Sequence, residues 1–395
     1  MKMFKFRTPH ISKEGSIFSW TALIYGFGVG LLLPIFPDFV EGVIDNEAYV
    51  GFFYSAMSIA MILAGVFSTY LFRRFSRLSV VNLFLILGAI VTMFLVFVTE
   101  FYELFGLSFI KVFAGLFVTM SLSLMVHDFT ASRNLGKTEG VFFLFNNIGW
   151  FIGPFIGGTM ARYIGYEPVF ALAGFTYLVS LVYLAHQKLI KNHAALNVPK
   201  KSHVKHHSWE RFKEFFTSPA LIGSYLVATG LMLWSSFKVV FVPLFIINMG
   251  YASDTAGLVI SLSIIPFLLF EVPVGKYSDK HGLKKPIALG FFIVGFFLLG
   301  VMLSPYFFLD VLFLILANIG ASFIEPLHDV YFFRNVTKKT EEDYYGIFIT
   351  ADPVAKFIGP AIISVSLLLL PFDWVFAVFG AIFFVAAAFS LKIKH

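Results

Sequence analysis

Apolar runs separated by short polar breaks recur along the whole chain, at 17–40, 48–72, 78–98, 104–127, 140–163, 167–188, 219–247, 252–277, 284–303, 306–330, 344–370 and 373–391. About 20 apolar residues in a helix suffice to cross a hydrocarbon layer of ~30 Å. The runs fall into two sets of six, divided by the polar stretch 189–218. This pattern predicts an all-α integral membrane protein with twelve transmembrane helices. Residues 1–188 form one six-helix bundle, 189–218 a linker and 219–395 a second bundle.

Composition agrees with lipid as the solvent. Of the 395 residues, 58% are hydrophobic and only 13% charged, whereas a soluble chain carries about a quarter charged residues. Cysteine is absent, which excludes disulfides, thiolate-bound zinc and thiol catalysis. The basic N-terminus precedes an apolar run too long for a removable signal, so that run is expected to stay as the first helix.

The charges are sorted by side. Lys and Arg gather at the N-terminus, in loop 2–3 (Arg73, Arg74, Arg77), loop 4–5 (Arg133, Lys137), the linker, loop 8–9 (Lys276, Lys280, Lys284, Lys285), loop 10–11 (Arg334, Lys338, Lys339) and the C-terminal tail. The opposite loops hold Asp38, Glu41, Asp45, Glu47, Glu100 and Glu103. By the positive-inside rule both termini and the linker are expected in the cytoplasm of a cell-membrane protein. The net charge of +6 is therefore a topology signal, and no nucleic-acid partner is expected.

The two halves repeat each other. "HDFTASRN" (127–134) matches "HDVYFFRN" (328–335), "GVFFLFNNIGWFIGP" (140–154) matches "GIFITADPVAKFIGP" (346–360), and Pro34 corresponds to Pro243. Duplicated bundles imply a site at their interface near the midplane, with the halves rocking about it.

Two stretches stand out as motifs. "GKYSDKHGLKK" (275–285) places Gly275, Asp279 and Gly282 in a basic inner loop. Gly275 permits close helix approach, Gly282 turns the chain, and Asp279 can meet basic groups or a helix N-terminus. "GWFIGPFIGG" (149–158) sets Gly149, Gly153 and Gly157 four apart on one helix face, with Gly158 beside them and Pro154 among them. That face is a smooth groove for another helix, and Pro154 frees a carbonyl.

These residues resemble the major facilitator superfamily along the whole chain. The glycine motif, "GVGLLLPIFP" (28–37) and "KVFAG" (111–115) are most similar to those of its twelve-helix drug:proton antiporters. The resemblance implies the major facilitator fold and alternating access. It also implies that helix 5 packs against a neighbour of the other half and flexes there. Loop 2–3 departs from the family pattern, with Phe72 where an acid belongs. Helix 1 lacks the intramembrane carboxylate of many drug antiporters.

Ionisable groups inside spans cost roughly 2.5 kcal/mol or more each, which makes them functional candidates. Glu325, Asp352 and Glu271 are expected to carry proton coupling. Lys111, Lys238 and Lys356, with Tyr25 and Trp234, are expected to line an aromatic-rich solute cavity. Asp352 and Lys356 lie four apart and can neutralise each other. His127, Asp128 and Arg133, and their repeats His328, Asp329 and Arg334, suggest a cytoplasmic charge gate. In the linker, "WERFKEFF" (209–216) reads as an amphipathic helix on the inner membrane surface. His203, His206 and His207 lack the acidic or Cys companions of a metal site.

No nucleotide-binding or zinc-hydrolase motif appears, so no enzymatic activity, cofactor or metal is expected. The expected partners are a small-molecule solute, protons and the lipid bilayer, and the expected state is a monomer. The sequence thus reads as a secondary transporter exporting amphipathic or lipophilic solutes against a proton gradient. Two alternatives stand beside it: a carrier of an anionic solute held by Lys111, Lys238 and Lys356, and a non-transporting membrane sensor or scaffold.

Overall fold

The computed structural model describes residues 13–129, 135–187, 208–337 and 340–393, and these are helical almost throughout. In chain order the helices are α1 (Lys13–Leu32), α2 (Phe36–Ile44), α3 (Glu47–Arg74), α4 (Arg77–Phe94), α5 (Phe101–Phe129), α6 (Leu135–Ile164) and α7 (Tyr166–His186). After the linker come α8 (Ser208–Phe215), α9 (Pro219–Asn248), α10 (Ser253–Leu262), α11 (Ile265–His281), α12 (Lys284–Leu303), α13 (Phe307–Arg334), α14 (Glu341–Phe348), α15 (Ala351–Leu369) and α16 (Trp374–Ser390). Among the described residues, eleven helical segments are long and apolar enough to span a membrane, and the shorter apolar α16 completes twelve. The chain is a multi-pass membrane protein.

Three of the expected spans are each divided into two helices. Run 17–40 becomes α1 and α2, run 252–277 becomes α10 and α11, and run 344–370 becomes α14 and α15. Proline explains all three. A proline has no N–H to donate, and its ring clashes with the carbonyl four residues earlier. Pro37, Pro266 and Pro353 place those clashes at residues 33, 262 and 349, where the breaks occur. Beyond the first break, α2 is a short amphipathic helix at the acidic end of the molecule, closed by Asp45 in a left-handed conformation.

Span 7 (α9) is buried along most of its length. Phe237, Phe241 and Phe245, four apart on one face, pack against Phe372, Phe376 and Phe379 around α16. Each such ring adds about 0.5–1.5 kcal/mol of aromatic pairing beyond its buried area. This anchors α9 firmly in its own half while its opposite face looks toward spans 1, 2 and 11.

The first six spans meet the last six along two seams. In one, α3 lies on α15: the Phe52 N–H donates to Ser364 Oγ at 2.9 Å and Ser55 Oγ donates to the Phe357 carbonyl at 2.7 Å. In the other, α6 lies on α10, with Ser253 Oγ donating to the Gly158 carbonyl at 3.0 Å. Glycines make both seams possible, since a Cβ at Gly51 or Gly257 would overlap the carbonyl of Pro360 or Pro154. These contacts gather toward the acidic end, where Arg162 also pairs with Asp254 at 2.5 Å and Asn248 donates to Glu47 at 2.5 Å.

The glycine stripe of α6 corrects one expectation. Gly149, Gly153 and Gly157 do not face the other half. They pack on α1 of their own half, against the backbone of Leu23, Phe27, Gly30 and Leu31. Contact with the other half falls to Pro154 and Gly158, one face round. The reason is mutual smoothness: α1 presents Gly26 and Gly30, so its backbone and that of α6 come closer than any side chain allows.

Helix α8 is a second correction. Its described residues dock on the C-terminal half, where Phe215 is fully buried beside Tyr225 and Tyr344. Arg211 reaches both Glu214 at 2.8 Å and Asp343 at 3.2 Å, and the Tyr344 hydroxyl donates to Glu214 at 2.9 Å. The helix is held by its partners on α14 as much as by any membrane surface.

Candidate functional site

Just inside the seams, a cavity of about 230 Å³ opens between the two sets of spans. Leu33, Tyr54, Met57, Ser58, Met61, Val112 and Trp150 line it from the first half. Ser235, Ser236, Val239, Val240, Lys356 and Pro360 line it from the second. Two aromatic rings and two thioethers give large, adaptable apolar area. Four hydroxyls, of Tyr54, Ser58, Ser235 and Ser236, and the Lys356 ammonium supply the polar contacts that orient a solute.

Of the expected cavity residues, only Lys356 lies on this wall. It pairs with Asp352 at 2.9 Å, one turn earlier on α15. Asp352 also sits in the first turn of α15, where the helix dipole favours a carboxylate. Tyr25 is buried against α5 and α7, donating to the Gly115 carbonyl at 3.2 Å and meeting Tyr177 edge-on. It is a packing residue because its helix face is the one that carries Gly28 and Leu32 into the bundle. Trp234 is likewise buried, and its indole N–H donates to Asn318 Oδ1 at 3.2 Å.

The three lysines have different company. Lys111 Nζ lies 3.6 Å over the Phe36 ring, a cation–π contact that holds the ammonium inside the span. Lys238 donates to Asn318 Oδ1 at 3.3 Å, with the Phe267 ring 5.4 Å away. The Glu325 carboxylate of α13 acts on its charge without forming an ion pair with it. Glu325, on α13, also lies in the field of His328, Asp329 and Asp352, and Glu271 of α11 faces it. The acids expected to couple protons thus share one electrostatic cluster with two of the lysines, on the C-terminal side of the cavity.

Among the described residues, the ion pairs of the expected gate at the basic end each lie within one half. Asp128 pairs with Arg77, which also donates to the Leu124 carbonyl at 2.7 Å, all within the first half. Arg334 stands 3.9 Å from Asp279, and His328 stands 3.4 Å from Asp329, all within the second. Phe72 therefore does not leave loop 2–3 without a tie: the acid comes from the end of α5 and the base from the loop, the reverse of the Asp279–Arg334 arrangement. Gly282 turns the chain with φ 83°, as expected. A Cβ on Gly275 would meet nothing within 4 Å, so the expected close helix approach is absent there. Arg133, the side chain of His127 and the linker histidines lie outside the described residues.

The acidic end carries its own cluster. Asp38 accepts from the Tyr166 hydroxyl, tying α2 to α7. Glu41, beyond the first spanning run and half-buried, has its carboxyl pushed up to about 7 by burial first, then by the negative charges of Asp38 and Glu47. Below pH ~4.5 the carboxyl is neutral whether the chain is folded or not. As pH rises toward 7 only the unfolded chain releases the proton, so folding loses stability, and the loss is complete above 7. Glu41→Gln removes that loss. It is expected to melt about 1–3 °C above the parent at pH 8 and level with it at pH 4.5, as read by thermal unfolding in detergent. An equal shift at both values would show that Glu41 acts through packing alone.

Residues 18–252 and 231–394 match the family model described as Major Facilitator Superfamily. An uncharacterized MFS-type transporter of Methanocaldococcus jannaschii is 23% identical over 347 residues, covering 84% of this chain and 85% of that protein. Multidrug resistance protein 2 of Bacillus subtilis is 24% identical over 276 residues, 66% of each chain. Among solved structures, a POT family transporter in complex with 5-aminolevulinic acid superposes with a TM-score of 0.79 at 13% identity, covering 96% of both chains. A bacterial homolog of the human lysosomal transporter Spinster, inward-facing and unoccupied, does so at 0.72 and 14% identity, over 96% of this chain and 97% of that one. At such identities the likeness speaks for the fold.

Proposed function

The chain belongs to the major facilitator superfamily, and from that premise we propose that it is a proton-coupled exporter of amphipathic, largely apolar small molecules. It works as a monomer in the cell membrane, with both termini and residues 189–218 in the cytoplasm. Residues 1–188 and 219–395 are the two six-helix units that rock about the cavity. The acidic end faces outward, and the seams joining the halves there make this the inward-facing state.

The observation that carries the reading is the placement of the cavity. It lies between the halves, its wall is dominated by Tyr54, Met57, Met61 and Trp150, and a carboxylate cluster flanks it. Thioether and aromatic walls accept varied apolar shapes. The 24% identity to a multidrug resistance protein supports the same class of solute. An anionic solute is less favoured, because Lys356, the cation on the cavity wall, already pairs with Asp352 at 2.9 Å.

The test is flux in liposomes of the purified protein under an imposed pH gradient, using ethidium, a neutral lipophilic dye and benzoate. Uphill movement of ethidium or the neutral dye that collapses with the gradient is the expected result. Benzoate transport alone would replace it with the anion reading. No transport of any, from folded protein, would favour the scaffold reading.

A further inference from the structure

Asn318 stands in the middle of α13, fully buried. Its Oδ1 accepts two hydrogen bonds, from the Trp234 indole at 3.2 Å and from Lys238 Nζ at 3.3 Å. Its Nδ2 donates to the Leu314 carbonyl at 2.8 Å. An amide oxygen has two lone pairs, and both are used. Turning the amide over would set its NH₂ against the indole N–H and the ammonium, donor against donor, so the orientation is fixed. Trp234 and Lys238 are four apart on α9, and Asn318 and Glu325 seven apart on α13, so each pair shares a helix face.

We propose that Asn318 is a positioning residue that holds the Lys238 amine beside Glu325 in both of its protonation states. The role rests on the proton-coupled reading above and deepens it. An amide does not titrate, and its oxygen accepts from a neutral amine as it does from an ammonium. An aspartate here would fix the charge of Lys238, and an apolar residue would let the side chain leave. The amide instead keeps the distance between Lys238 and Glu325 constant while protons come and go, so each feels the other's charge in full.

The groups around the pair are few. From α11 comes Glu271, with the Phe267 ring. From α13 itself come His328 and Asp329, and from α15 Asp352 with its partner Lys356. Lys284 and Lys285 of α12 stand at the basic end, and Asp254 of α10 at the acidic end. Asn318 is thus an uncharged residue that joins α9 to α13 through Trp234 and Lys238.

Trp234 reports on this site directly, because its indole shares the oxygen that holds Lys238. Its emission is obtained by subtracting the spectrum of the Trp234→Phe form of each full-length protein, over pH 5–10 in liposomes. In the parent, the Trp234 signal is expected to pass through one transition. Asn318→Asp adds a negative charge within hydrogen-bond reach of Lys238, which holds protons on the pair to higher pH. The midpoint is expected to rise by about one pH unit, tenfold in proton activity, with the melting temperature little changed. Asn318→Leu, which releases Lys238, should flatten the transition, and it decides the matter if the aspartate form does not fold. A flat parent titration overturns the proposal, and so do variants whose transition keeps the parent midpoint and shape. If the parent titrates as described but ethidium flux ignores the pH gradient, the positioning role stands and the proton-coupled reading falls.

Discussion

Replacing Glu325 by Gln is expected to bring gradient-driven ethidium flux down to the level of empty liposomes while solute still binds. Gln keeps the shape of a protonated carboxyl but cannot release a proton, so the cycle loses the step that a gradient drives. Glu325 is singled out among the acids by its company: Lys238, His328, Glu271 and Asp352 all act on it, yet among the described residues no cation forms an ion pair with it as Lys356 does with Asp352 at 2.9 Å. Asp352→Asn should act differently. It leaves Lys356 as a lone cation on the cavity wall, which costs more than removing the whole pair. The double change Asp352→Asn with Lys356→Met should therefore recover part of the flux lost by Asp352→Asn. Flux against imposed gradient for the four proteins, with ethidium binding measured alongside, separates these roles. Unchanged gradient dependence in Glu325→Gln would remove Glu325 as the carrier.

What the sequence made legible was everything set by one chain segment at a time. Apolar length gave the spans. Even the three broken spans carry their cause in Pro37, Pro266 and Pro353, which a reading by hydropathy passes over because proline is tolerated in apolar runs. Rotation about each helix axis was not legible. In lipid every face of a helix can be apolar, so periodicity does not say which residue turns inward. Tyr25 and Trp234 were placed on the cavity for their chemistry, yet both turn into their own half. Asn318 was missed because a single amide in a span gives no pattern; the signal that finds it is its seven-residue spacing from Glu325. Arg77 and Asp128 belong to different helices, and only the fold brings them together.

Gly157→Leu is expected to leave little folded protein, a larger effect than any loss of flexibility would give. The reason lies in the neighbour that the stripe meets. A Cβ at Gly157 would overlap the Leu31 carbonyl, and one at Gly153 would fall 2.7 Å from the Phe27 carbonyl oxygen and 2.8 Å from the Gly30 backbone. Those atoms are backbone of α1, which cannot rotate aside as a side chain can. Any added group must push α1 and α6 apart along their whole contact. Overpacking typically costs about 1–3 kcal/mol, and here the strain meets main chain. Gly153→Ala should lower the melting temperature by about 3–8 °C, and Gly157→Leu should fail to give a monodisperse peak in detergent. Gly106→Ala is the control: its Cβ would meet nothing within 4 Å, and alanine is the better helix former by about 1 kcal/mol, so that protein should melt at or slightly above the parent. Size-exclusion profiles and melting curves for the three decide the point. If Gly157→Leu folds and melts like the parent but no longer transports, the stripe is a moving surface after all, and α1 and α6 must slide on each other during the cycle.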